Sequence, residues 1–143
     1  MAISSAIPTS FKQELLVGTH NFTASSGNTF KLALHTSSAT LGASTTAYVT
    51  TGQSSGTNYT AGGANLTSVT PVATGTTAVC DFSPDLTFGT ATVTARGCLI
   101  YNSSASNKAV CVLDFGADKS STAGNFTVVF PSPTATGAII RLA

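Results

Sequence analysis

The chain has 143 residues, 42% of them hydrophobic and only 8% charged, with a formal net charge of +1. That length carries one domain with a single core and needs no staples, and so neutral a chain has no electrostatic footprint for nucleic acid. Serine and threonine, 18 and 25 of 143, replace charge that usually reaches about 25%; Thr suits strands and Ser suits turns, so the composition points to an all-β fold.

Residues 1–10 read as an extended arm without periodicity. The one helical candidate is Phe11–Val17, with Ser10 as cap, Gln13 completing a capping box and Gly18 closing it. Phe11, Leu15 and Leu16 are expected to form its apolar side. A helix this short is marginal alone and must pack on something. Two readings stand: the arm and helix cap one end of the domain, or they dock on a neighbouring subunit. The opening MAISSAIPTSFKQELL lacks a cationic region followed by an apolar run, so no export signal is expected.

Phe30–His35 alternates, with Phe30, Leu32 and Leu34 predicted inward and Lys31, Ala33 and His35 outward. Residues 36–65 are rich in Ser, Thr and Gly and read either as a long surface excursion or as a plain edge, with a short strand at Ala47–Thr51 and a tight turn at Gly62-Gly63. Leu66–Ala73 and Thr76–Phe82 form a predicted hairpin around Thr74-Gly75, and Pro71 confines its first strand to an edge or bulge. Asp81–Asp85 is a turn. Leu86, Phe88, Ala91, Val93 and Ala95 lead into the strongest signal in the chain, Ala95–Gly116.

That stretch predicts a hairpin around the loop Ser103–Asn107. Pairing symmetric about Ala105 places Arg96 opposite Asp114, Cys98 opposite Val112 and Ile100 opposite Val110. On the other face Leu99 meets Cys111 and Gly97 meets Leu113. Both faces are apolar, which predicts a strand pair between the core and a second layer or subunit. In this register Cys98 and Cys111 point to opposite faces and are not bridged. Asp118–Gly124 reads as a loop, Asn125–Phe130 as a strand with Phe126, Val128 and Phe130 on one face, and Ala138–Leu142 as the last strand. Eight or nine short strands at this spacing give a single-domain antiparallel β-sandwich or jelly-roll-like barrel with a short N-terminal helix, spanning 1–143 with 1–18 as arm and helix.

The residues supply little chemistry. His20 and His35 have no metal-ligand spacing and read as surface or turn residues. Two acids at Asp81 and Asp85, or at Asp114 and Asp118, read as turn and strand-end residues, although such a turn could hold a cation. Cys80, Cys98 and Cys111 have no paired spacing and read as buried hydrophobes. Tyr48, Tyr59 and Tyr101 give only a weak sugar-site reading. Five Asn-x-Ser/Thr sites, at Asn21, Asn58, Asn65, Asn102 and Asn125, are expected by chance in so Ser/Thr-rich a chain. No acid–base set, cofactor motif, metal site or apolar run of about 18 residues is visible, so neither an enzyme nor a membrane-spanning helix is expected.

The order TARGCLIYN, KAVCVLDFG, GNFTVVFP and AIIRLA, preceded by SFKQELLVGTHNF, TFKLALHTSSATL and YTAGGANL, resembles small structural proteins of tailed bacteriophages over nearly the whole chain. The resemblance implies a capsid cement or decoration protein on the outer surface of the head, assembled in the host cytoplasm. Its partner would be the major capsid protein, its own state a homotrimer, with no nucleic acid, membrane or cofactor involved. The capsid- or subunit-facing residues expected on that reading are Ile3, Ile7, Phe11, Leu15 and Leu16, while Arg96 and Asp114 hold the hairpin register or a subunit boundary. A tail-fibre module binding host glycan and a tail-tube or connector subunit remain as alternatives.

Overall fold

A computed structural model of the chain describes residues 2–143; Met1, the first residue of the expected arm, lies outside them. One helix, α1 (Thr9–Leu16), precedes eight strands. These are β1 (Phe30–His35), β2 (Gly56–Thr57), β3 (Ala64–Asn65), β4 (Ser68–Thr74), β5 (Thr77–Phe82), β6 (Leu86–Asn102), β7 (Lys108–Val128) and β8 (Ile140–Leu142). All strand pairs are antiparallel. The fold is all-β, as the composition predicts, in two sheets.

β6 is the spine of the larger sheet. One of its edges carries β1 along Gly97–Asn102 and β2 at Thr92–Val93, and the other carries β7 from end to end. The smaller sheet runs β4-β5-β8. Pro71 sits in edge strand β4, inside the irregularity between Val69 and Val72, where its missing N–H breaks no ladder. The two sheets meet through aromatic contacts. The Phe82 ring of β5 lies 5.9 Å from that of Phe30 on β1, and Phe22 stacks on Phe30 at 4.2 Å. Around them Leu32, Leu34, Cys98, Ile100, Val110, Cys111, Phe126 and Ile140 complete one core.

A second, smaller core lies on the opposite face of the larger sheet. It joins Ala33, Leu99, Tyr101, Ala109 and Val112 to Ile3, Ala39 and Leu41, with Tyr48 packed against it. Residues 36–54 are therefore not a surface excursion but the cover of this face. Ala47 forms only an isolated bridge, to Lys108, instead of the expected short strand. The arm is docked too: Ile3 bridges Leu41, and Ala6 exchanges two backbone hydrogen bonds with Val112 at 2.9 and 3.0 Å. Both apolar faces of the central hairpin are thus satisfied within one chain. For the same reason Ala33 and His35, predicted outward, are fully buried.

The hairpin loop falls where the sequence places it, with Asn102 opposite Lys108 and Tyr101 opposite Ala109. One residue further the register changes. Val110 is an extra residue, so Ile100 faces Cys111, Leu99 faces Val112, Cys98 faces Leu113 and Gly97 faces Asp114. A bulge of this kind inserts one residue on one strand and offsets every later pair. It turns Val110 and Cys111 toward the same core, which also holds Cys98. The two cysteines thus share a face, contrary to the symmetric register, and all three thiols are free. Residues 118–124 correct a second expectation: they are strand, not loop, and lie within β7 opposite β6.

The helix begins at Thr9 rather than Phe11, with Pro8 in front of it and no side-chain cap. Ser10 sends its hydroxyl to the Thr45 carbonyl, so no capping box forms. The expected end does form. Gly18 adopts φ +74°, and Thr19 N–H returns to the Glu14 carbonyl at 3.0 Å while Gly18 N–H reaches Leu15. This is the left-handed closure that glycine allows at least cost.

Candidate interaction surface

The buried side chains with chemical potential are held in internal contacts. Phe11 and Glu14 lie three residues apart on one helix face, and both are buried. Glu14 Oε2 is 2.6 Å from His20 Nε2, and its Oε1 accepts from Lys108 Nζ at 3.4 Å. Asn102 Nδ2 lies 3.0 Å from both His20 Nδ1 and Asn28 Oδ1, and it donates to the latter. This network ties the helix, the segment behind it and the hairpin tip together. Both histidines are therefore interior residues, not surface or turn residues: His35 Nε2 meets the Val49 carbonyl at 3.0 Å.

The tyrosines are likewise held. Tyr101 donates to the Gly62 carbonyl at 2.7 Å, and Leu34 N–H donates to the Tyr59 hydroxyl at 2.8 Å. Tyr48 stacks on Tyr101 at 4.8 Å. Burial pushes the Tyr59 hydroxyl up to about 12. It does the same to the Cys80 and Cys111 thiols and raises Cys98 as well, which disfavours their thiolate forms. Asp81 is buried, with Oδ1 taking the Phe82 N–H at 2.8 Å and Oδ2 without a hydrogen-bond partner. Burial raises its pKa, and the amides of Phe82 and Ile139 offset part of that. Among the described residues no group of three His, Cys, Asp or Glu could hold a metal ion.

Arg96 and Asp114 are brought together, though not as directly opposed residues. Asp114 faces Gly97, and Arg96 lies in the irregularity between Ala95 and Gly97. Arg96 Nε reaches Asp114 Oδ1 at 2.9 Å, and the same oxygen accepts Gly116 N–H at 2.9 Å, where φ is +81°. The pair closes a bulge at which β7 spends several more residues than β6.

Beside α1 two exposed apolar side chains, Leu16 and Leu142, border one hollow, and Val17 follows Leu16 in the chain. Leu16 is 88% exposed, Val17 68% and Leu142 56%, and these are three of the six large hydrophobic side chains exposed on the described surface. Ile7 and Leu15 are half-buried next to them. The five residues expected to face a partner therefore divide. Ile3 and Phe11 belong to the two cores of their own chain, while Ile7, Leu15 and Leu16 border that hollow. Leu16 is not part of the packed helix side; Glu14 takes that place. Val17, Leu142, Lys12 and Arg141 were not singled out. Strict alternation in AIIRL places Leu142 on the inward side with Ile140, so its exposure runs against the pattern. Comparison with family models, with curated proteins and with solved structures yields no match.

Proposed function

We propose that this chain is a capsid decoration protein of the tailed-bacteriophage type, acting by adhesion and not by catalysis. It sits on the outer surface of the head as a homotrimer and binds the major capsid protein. The observation that supports the reading most is the exposure of Leu16, Val17 and Leu142 on a domain whose buried polar side chains, Asp81 Oδ2 apart, are hydrogen-bonded internally. Apolar surface left out by so well-packed a chain marks an interaction site. Cementing needs no more than a modest contact repeated over many lattice points, because each bound copy holds neighbouring capsomers at a high effective concentration. The resemblance of the strand segments to small virion proteins points the same way.

Cryo-electron microscopy of the source particle tests it. Density for this fold at three-fold or quasi-three-fold positions over the head lattice is the expected result. Density confined to the tail or its fibres overturns the proposal in favour of a connector or receptor-binding role.

A further inference from the structure

Leu16 and Leu142 are the two facing rims of a groove. Along one side runs α1, with Phe11 and Leu15 toward the floor and Leu16 at the rim. Along the other runs β8, with Leu142 at the rim. A second hollow shares Phe11, Leu15, Ile140 and Leu142 with it and opens past Gly18 over Val79 of β5 and Pro71 of β4. β8 is paired with β5 on one edge only and ends the small sheet. A terminal strand presents a row of free backbone groups, and beside an apolar groove it can accept an added strand.

The charge of the groove is one-sided. Lys12 and Arg141 line it, and no carboxylate does. The only acid of the helix, Glu14, is turned inward to His20 and Lys108. We propose that this groove takes an extended segment of the partner protein in which aliphatic side chains alternate with at least one carboxylate. The segment adds to β8 as a fourth strand of the β4-β5-β8 sheet. Its aliphatic residues pack on Leu15, Leu16 and Leu142, and its carboxylate meets Lys12 or Arg141. A second copy of this chain does not offer such a segment. Its exposed acids are Asp85, whose Oδ1 holds the Phe130 amide, and Asp118, which stands among Ala117, Lys119 and Ser120 without aliphatic alternation. The proposal rests on the decoration reading only for the owner of the segment, the major capsid protein.

The test is selection from a displayed library of random 12-residue peptides on the purified chain, compared with two double variants. Leu16→Ser with Leu142→Ser removes the rim, and Lys12→Glu with Arg141→Glu reverses the charge. All four side chains are exposed, and circular dichroism with a thermal midpoint verifies folding; Leu142→Ala alone serves should the first pair fail to fold. Wild type should enrich peptides alternating aliphatic residues with Asp or Glu. The rim variant should bind the best of these about tenfold more weakly or worse. The charge-reversed variant should turn the selected charge to Lys or Arg. No enrichment over a bare support, a consensus without carboxylates, or binding indifferent to both variants overturns the groove. Wild type that decorates heads yet selects nothing leaves the capsid reading standing and removes this one. Selection as described, with no chain on the heads, keeps the groove and removes the capsid protein as its partner.

Discussion

The β6–β7 ribbon contains two regions built on different terms. In the half next to the loop, Gly97–Asn102 against Lys108–Val112, almost every side chain is buried on both faces. In the far half, Leu86–Ala95 against Lys119–Val128, burial alternates: Phe88, Ala91, Val93, Ala95, Phe126 and Val128 are in, and Thr87, Thr92, Thr94, Ser120 and Thr127 are out. The outer residues there pair across the strands, as in Thr87–Thr127 at 2.9 Å and Thr94–Ser120 at 2.8 Å. One ribbon is thus a central sandwich layer at one end and a half-solvated sheet at the other. Whether a strand is covered on one face or two is decided by what the rest of the chain lays over it.

The largest effect should separate the halves directly. Leu99 is fully buried in the smaller core, so Leu99→Ala should cost about 2–5 kcal/mol of unfolding free energy. Thr94→Ala, on the outer face of the far half, should stay within about 0.5 kcal/mol of the parent. Urea denaturation with both variants measures the contrast. Equal costs, or a Leu99→Ala cost below about 1 kcal/mol, would mean that the second layer is not a core.

The difference between the halves also marks what could be read in advance. The apolar runs CLIY and AVCV announced a strand pair covered twice, and the polar run Ser103–Asn107 announced its loop. The cover itself was not legible. Residues 36–54 hold on through Ala39, Leu41, Tyr48 and scattered backbone bonds, such as Tyr48 N–H to the Asn107 carbonyl at 2.8 Å, and such contacts impose no period on a sequence. The bulge at Val110 was illegible for a related reason: a valine there fits either register, and the one adopted brings Val110 and Cys111 into the core that holds Cys98. Asp118–Gly124 has the composition of a loop, yet β6 supplies its partners, including Ser121 Oγ to the Ala91 carbonyl at 2.8 Å. Strand tendency yields to such non-local pairing. In the candidate surface, the burial of Glu14 was not legible: an acid on the Phe11 face is held inside only by His20 and by Lys108 from the hairpin tip, far along the chain.

A smaller effect probes the lashing of the second layer to the near half. The Tyr101 hydroxyl crosses to the Gly62 carbonyl, and both residues are buried. Tyr101→Phe keeps the ring stacked on Tyr48 and leaves that carbonyl without its donor, at a cost of about 1–2 kcal/mol. A thermal melt should fall accordingly, whereas Thr87→Val in the far half should leave it nearly unchanged. Should the two substitutions act alike, the layer over the near half is held by something other than this bond.

The smallest effect belongs to the joint between the halves. Asp114 is held below its ordinary value of 3.8 first by the hydrogen bond from Arg96 and then by the Gly116 amide. A carboxyl lowered on folding adds stability that is present above the unfolded value and is lost as pH falls through the folded one. The loss therefore belongs to strongly acid solution, below pH 3.8, and neutral pH leaves the joint intact. The pair is solvent-accessible, so salt screens it and its part in total stability is slight. Its role is geometric: the Asp114 carboxylate gathers Arg96 and Gly116 where the two strands run out of step. Nuclear magnetic resonance titration of the Asp114 carboxyl should give a midpoint below 3.8 in the parent and a higher one in Arg96→Gln. If the substitution leaves that midpoint in place, the Gly116 amide alone organises the bulge, and the boundary between the two halves is a property of the backbone and not of the ion pair.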